Sequence, residues 1–151
     1  MEYYQLGEAE RKQAVELLHQ RIMDGMDADE VLWETVLVYQ GYPFYTASGL
    51  PFTYTVKRGK RDAYTGEIVI SRKEGSKTLT RSSVMLAFHV VRDAMTVVRV
   101  QDCPEGRLIP AEYRGPKAIG QIFGISYVYS LFWRWGLIRV PEKVEQRWQI
   151  G

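Results

Sequence analysis

The stretch from Leu50 to Val91 does most to restrict what this chain can fold into. LPFTYTVK alternates: Phe52, Tyr54 and Val56 fall on one face, Thr53, Thr55 and Lys57 on the other. Successive strand residues point to opposite sides, so this is the period of a half-buried strand. After the polar turn RGKRDAYTG, EIVISRK repeats the pattern with Ile68 and Ile70 on one face. Two such runs joined by a short polar turn make an antiparallel hairpin. The period then changes. Val84, Ala87, Phe88, Val91, Ala94 and Met95 recur at helical spacing, with Arg81, Ser82, His89, Arg92 and Asp93 on the opposite arc. This predicts a helix from about Thr80 to Met95, with Thr80 or Ser82 capping its first backbone donors. So wide an apolar stripe packs on one face of a sheet.

The flanks extend this unit. Val15, Leu18 and Ile22 share a helical face, which predicts a helix over 8–24 stopped at Gly25. Asp27 with Glu30 three residues on resembles a capping box and opens a helix from about Ala28 to Gln40. Its later part, TVLVYQ, is β-branched and also suits a strand; the cap and the shared face of Leu32, Val36 and Tyr39 favour helix. After Gly41, a short strand near Phe44–Thr46, a turn at Ala47-Ser48-Gly49 and a strand over 50–58 form a second hairpin. The strands together make a three-stranded antiparallel meander, with a fourth short pairing at Lys77–Leu79 as its extension.

TVVRVQ reads as a strand or a helix end, DCPEG as a turn and RLIPAEYRG as a loop. Pro116 suits a first helical position, so PKAIGQIF reads as a short helix broken at Gly124. Ser126 then caps SYVYSLFWRW, with Val128, Leu131, Phe132 and Trp135 inward and Tyr127, Ser130 and Arg134 outward. Val144 and Trp148 suggest a last short helix after Pro141. The expected fold is a single α+β domain over 1–151: N-terminal helices, a meander under an amphipathic helix, and short C-terminal helices.

Charge is divided along the chain. Residues 1–34 carry nine acids and three bases, 35–56 carry no charge, and 57–81 carry eight bases and three acids. An acidic head and a basic middle place opposite fields on one small protein. The single cysteine, Cys103, allows no internal disulfide and fits a reducing compartment. MEYYQLGEAERK lacks the basic region and apolar run of a secretory signal, and no apolar run is long enough to span a bilayer. These features lead to a cytoplasmic expectation with no membrane partner.

Catalytic chemistry finds little to stand on. Nucleophilic catalysis needs Ser or Cys beside a base. The two histidines, His19 and His89, lie on polar helix edges without a motif, and Cys103 sits in a Pro-bearing turn. No His/Cys spacing suits a metal, and GPKAIGQIFG lacks the Lys-Ser/Thr pair of a phosphate loop. Asp62, Glu67 and Glu74 bracket the hairpin and read as local salt partners. The expectation is therefore no catalytic residue, no metal and no cofactor.

Binding remains. Lys57, Arg58, Lys60, Arg61, Arg72, Lys73, Lys77, Thr80, Arg81 and Ser82 fall in a hairpin, a strand end and a helix N-terminus. Such a surface suits the phosphates of DNA or RNA. A basic hairpin also keeps a sheet edge soluble, the plainer reading. A rival site is the aromatic helix, where Tyr127, Tyr129, Trp133 and Arg134 suit a protein partner. KAIGQIFGISYVYSLFWRWGLI also has the outline of a helix-turn-helix, but Gly120 stands where the motif has Ala, and the reading helix is crowded with aromatics.

One resemblance adds a setting. Gly41, Phe44, Thr46, Gly49, Leu50, Phe52, Tyr54, Val56 and Lys57 follow a G-x-x-F-x-T-x-x-G-L-x-F-x-Y-x-(V/I)-K pattern. With SKTLTRSSVMLAF and GPKAIGQIFGISYVYSLFWRWGLI, this resembles a group of small proteins of Firmicutes, their phages and their conjugative elements. The resemblance spans about residues 31–140 and carries over no activity or site residues. It implies a mobile-element accessory protein. Two functions fit that setting: nucleic-acid binding through the basic hairpin, or inhibition of a host defence nuclease such as a CRISPR effector, an anti-CRISPR-like role.

Overall fold

The protein is described by a computed structural model over residues 7–100 and 103–150. Its elements are α1 (Glu8–Met23), α2 (Asp29–Val38), β1 (Phe44–Tyr45), β2 (Pro51–Arg58), β3 (Tyr64–Arg72), β4 (Gly75–Thr80) and α3 (Arg81–Asp93). There follow β5 (Thr96–Val100), β6 (Cys103–Ile109), α4 (Ile125–Arg134) and α5 (Glu142–Ile150), with 3-10 turns at Lys60–Asp62 and Pro116–Ala118. The fold is α+β. One antiparallel sheet of four strands runs in the order β1-β2-β3-β4, and β5 and β6 form a separate two-stranded ribbon.

Alternation decides which sheet face is dry. Phe52, Tyr54, Val56, Ile68, Ile70 and Leu79 are buried, whereas Thr55, Lys57, Glu67, Ser71, Ser76 and Thr78 on the other face are exposed. Val84, Ala87, Phe88 and Val91 of α3 are fully buried, and α3 packs on β3, β4 and α4. Each large side chain so removed from water contributes about 1.5–3 kcal/mol. Thr80 is the cap of α3: its hydroxyl oxygen accepts from the Ser83 N–H at 3.3 Å. Ser82 is not the cap; it lies exposed in the first turn.

Several expectations need correction. The meander has four strands, because Gly75–Thr80 pairs with β3 along its whole length, not only at Lys77–Leu79. The segment read as a loop from Arg107 supplies the end of β6, which pairs with β5; β6 begins at Cys103, inside the expected turn DCPEG, and residues 101–102 lie outside the described residues. PKAIGQIF forms only a 3-10 turn. Gly124, not Ser126, is the cap position of α4, and no side chain caps that end. The helix-turn-helix outline fails with it, since the first helix is absent and the second is core. Tyr127 and Ser130, expected outward, are buried.

The joint between α2 and β2 carries the polar part of the core. β1 covers β2 only at Pro51 and Phe52, so the same edge farther along needs other partners. Gly41 N–H donates to Tyr54 O at 2.9 Å, and Gln40 Oε1 accepts from Val56 N–H at 2.8 Å. Gln40 Nε2 donates to Leu37 O at 3.0 Å and to the Tyr64 hydroxyl at 3.3 Å. The Tyr54 hydroxyl donates to Val36 O at 2.5 Å, and Arg11 Nε to Val38 O at 3.0 Å. The last carbonyls of α2, which a helix leaves unpaired, are thereby occupied. At the far side Trp148 Nε1 donates to Thr46 O at 2.7 Å, Ser130 Oγ to Tyr45 O at 2.6 Å, and Arg147 to Ala47 O, which pins the first hairpin onto α4 and α5.

Gln40→Ala strands the buried Val56 N–H, and we expect it to cost about 2–4 kcal/mol in urea unfolding. Thr55→Val on the wet face, measured alongside, should stay within about 0.5 kcal/mol of the parent. A second outcome concerns alkali. Burial raises the hydroxyl of Tyr54 well above its ordinary value, and burial with the nearby Glu112 carboxylate pushes Tyr129 up to about 12. The unfolded chain releases these protons near pH 10 while the folded chain keeps them, so both contributions are whole below about pH 10, and that of Tyr129 fades towards about pH 12. Tyrosinate absorbance should therefore rise in two stages, the later one coinciding with loss of circular dichroism; a single early stage in the folded protein would contradict this.

Candidate nucleic-acid interface

The ten polar residues expected to form one basic surface are separated by the sheet. β2 and β3 meet at the loop 59–63, and β3 and β4 meet at Lys73-Glu74, at the opposite end. A strand rises about 3.3 Å per residue, so the ends lie roughly 25 Å apart. Lys57, Arg58, Lys60, Arg61, Thr80, Arg81 and Ser82 belong to the first end, and Arg72, Lys73 and Lys77 to the second.

At the first end most cations are already engaged. Arg58 Nη1 lies 3.0 Å from Asp62 Oδ2, Nη2 donates to the Tyr64 hydroxyl at 2.9 Å, and the guanidinium stacks 4.4 Å from the Tyr64 ring centroid. Lys57 pairs with Glu67 at 3.4 Å. Arg81 reaches Glu30 at 3.0 Å and lies over the Trp33 ring at 5.0 Å. The Thr80 hydroxyl serves its own helix, and Ser82 is exposed. Lys60 and Arg61 remain: both are exposed and neither has a partner among the described residues. The loop closes with Gly59 N–H to Ala63 O at 2.8 Å, which forces Arg61 and Asp62 to φ values of +65° and +60°. That left-handed region costs a side chain-bearing residue about 1–2 kcal/mol.

At the second end Arg72 Nη1 donates to the Tyr127 hydroxyl at 2.7 Å. The Lys77 ammonium lies 4.9 Å from the Phe123 centroid and 5.9 Å from that of Tyr127. Lys73 is exposed without a partner among the described residues. Phe123 is 61% exposed. Its neighbour Gly124 holds φ at +77°, and a Cβ there would meet Leu79 Cδ2 at 2.1 Å, so only glycine brings this segment so close to β4. Phe123 was not among the residues singled out from the sequence. Its one signal was position, an aromatic directly before the glycine that opens α4.

Between the ends lies the wet sheet face, with hydroxyls from Thr55, Ser71, Ser76 and Thr78. Of the acids set aside, Asp62 and Glu67 are ion-paired to Arg58 and Lys57. The rival aromatic surface needs correction. Tyr127 and Tyr129 are buried; the Tyr129 hydroxyl donates to Tyr113 O at 2.5 Å, so neither presents a face to a protein. Trp133 is partly buried against Trp148, with centroids 4.8 Å apart. Arg134 is exposed, over Tyr42 at 5.5 Å, and with Arg11, Lys12 and His19 it borders an open depression of about 540 Å³.

Both histidines have partners within the fold. His19 Nε2 donates to Trp135 O at 2.6 Å, and His89 Nε2 lies 2.9 Å from Asp29 Oδ2. No group of three or more His, Cys, Asp or Glu among the described residues is placed to hold a metal ion. No helix among them is long and apolar enough to cross a membrane. The fold and this surface define an α+β protein with a hydroxyl-lined antiparallel sheet carrying cations at both ends. Neither the sequence, compared with family models and curated proteins, nor the structure, compared with solved structures, finds a match.

Arg61→Gly removes the left-handed penalty and one exposed cation together. We expect unfolding free energy to rise by up to about 1 kcal/mol in urea titration. A drop would show that the Arg61 side chain stabilises the loop.

Proposed function

We propose that this chain is a non-catalytic nucleic-acid-binding protein that grips phosphates at both ends of its four-stranded sheet. One observation carries the reading: Lys60, Arg61 and Lys73 are exposed, unpaired among the described residues, and stand at opposite ends of a hydroxyl-lined face. An unpaired surface cation is free to replace a condensed counterion on a phosphate, whereas one already paired must first break its own contact. Hydroxyls between the ends add donors of the kind that position a backbone without reading sequence. Binding of this kind is electrostatic and weakly sequence-specific. The resemblance to mobile-element proteins supplies a compatible setting: accessory proteins of such elements tend to bind nucleic acid or to disarm host defence. The anti-defence alternative, a contact with a host nuclease, has lost Tyr127 and Tyr129 as contact residues and rests on Trp133, Arg134 and the exposed acids of α1.

The test uses the three unpaired cations, because reversing them disturbs no contact of the fold. Anisotropy with labelled DNA and RNA should show affinity falling about a hundredfold between about 50 and about 200 mM salt if about four phosphates are contacted. Lys60→Glu with Arg61→Glu and Lys73→Glu should weaken binding at least about tenfold and flatten that salt slope. Unchanged affinity in the triple variant would overturn the proposal. Affinity purification with and without nuclease treatment separates the alternative, since a nuclease-resistant protein partner and no bound nucleic acid would favour the anti-defence reading.

A further inference from the structure

We infer that the Arg72–Lys77 end of the sheet is a single-strand site, in which an unpaired base stacks on Phe123 while Arg72, Lys73 and Lys77 hold the flanking phosphates. This rests on the nucleic-acid reading above and specifies the form of the ligand. A lone exposed aromatic is ordinary on a protein surface. Phe123 is not alone. Lys77 joins its ring to that of Tyr127, with centroid distances of 4.9 and 5.9 Å. Tyr127 in turn walls an apolar cleft of about 100 Å³ with Leu50, Pro51, Phe52 and Arg72. Leu50, like Phe123, is 61% exposed. Exposed apolar surface at Phe123 and Leu50 therefore stands beside three cations, with Glu74 as the one acid on the cleft.

The ligand that matches flat aromatic surface beside cations is one with alternating flat rings and negative charges. Single-stranded nucleic acid has that alternation, and base–aromatic stacking tolerates any sequence. A duplex keeps its bases stacked inside and would use only the cations. A peptide would need a longer groove, for the cleft holds about one side chain. The Tyr127 hydroxyl oxygen accepts from Arg72 at 2.7 Å, which fixes the guanidinium at the wall of the cleft. The platform is also held in place before any ligand arrives. The backbone of Gly124 is pressed on Leu79, and little of the segment's freedom remains to be lost on binding.

The experiment compares an oligothymidylate with a DNA duplex of equal length, by anisotropy at low salt, on the full chain. Variants are Phe123→Ala, Phe123→Trp and Lys73→Glu, each checked for an unchanged melting curve. The parent should prefer the single strand. Phe123→Ala should lower single-strand affinity about ten- to a hundredfold and leave duplex affinity within about twofold, whereas Phe123→Trp should keep or raise it. Lys73→Glu should weaken both. If Phe123→Ala leaves single-strand binding intact, or weakens both forms equally, the stacking site is refuted while salt-dependent binding of the parent leaves the wider reading standing. If the parent binds neither form, both fall. Polyglutamate that competes as well as the oligothymidylate, charge for charge, would also refute the site, since charge alone would then account for binding.

Discussion

The structure depends on how the C-terminal end of α2 meets the edge of β2. A helix ends with carbonyls that have lost their partners, and a strand covered by a two-residue neighbour has amide groups in the same state. Gln40 answers both shortages with one side chain, accepting from Val56 N–H and donating to Leu37 O. Tyr54 and Arg11 reach the adjacent carbonyls Val36 O and Val38 O from the sheet and from α1. Three elements are therefore tied at one place by groups that each need a partner when buried. Gln40 is 2% exposed and Tyr54 fully buried, so the cost of leaving any of them unpaired is large compared with a surface contact.

That joint decides which side of the sheet is dry. With α2, α3 and α4 on the inner face, every second residue of β2, β3 and β4 turns outward, and apart from Pro51 and Val69 those residues are Thr, Ser, Lys and Glu. The loop 59–63 and the turn at Lys73-Glu74 then project from opposite ends, because antiparallel neighbours reverse direction at alternate ends. Cations that are close in sequence become distant in space, and those closest to carboxylates are neutralised locally: Arg58 by Asp62, Lys57 by Glu67, Arg81 by Glu30. Exposed pairs of this type add little stability, yet they reduce the charge available to a ligand.

The period-two pattern of β2 and β3 and the helical stripe of α3 were legible, because burial on one face writes itself into sequence as periodicity. The cap at Thr80 was legible for the same local reason. The β5–β6 ribbon was legible only in part: TVVRVQ read as a strand or a helix end and forms β5, whereas Pro104 with Gly106 reads as a turn although both stand in a strand. PKAIGQIF failed in the other direction, since its first helical proline was sound but Gly120 and Gly124 left too few residues to propagate a helix. In α4 the polar tips of Tyr127 and Ser130 suggested an outward face. Each instead finds a partner inside, Arg72 and Tyr45 O, which no pattern along the chain announces. The basic residues were legible as a set but not as a surface, because a list of cations does not say which are already paired.

The distribution of unfavourable features argues for where a ligand sits. Most polar groups of the interior are matched, Thr35 with Val31 O, Ser130 with Tyr45 O and Gln40 on both sides, although the buried Trp135 Nε1 has no partner among the described residues. At the two ends of the sheet further local rules are broken. Arg61 and Asp62 hold left-handed backbone that glycine would adopt freely, and Phe123 and Leu50 are the most exposed of the described large apolar side chains, ahead of Leu86 and Met26. Departures of this kind are starting points for a functional hypothesis. Arg61 and Asp62 follow Lys60, Leu50 shares a cleft with Lys73, and Phe123 lies against Lys77. A surface charge needs no strained backbone to stay soluble, and an apolar ring does nothing for solubility. The solvated-edge reading accounts for the lysines and leaves Arg61 and Phe123 without a reason, and it is on those two that the proposal of a polyanion with flat rings rests.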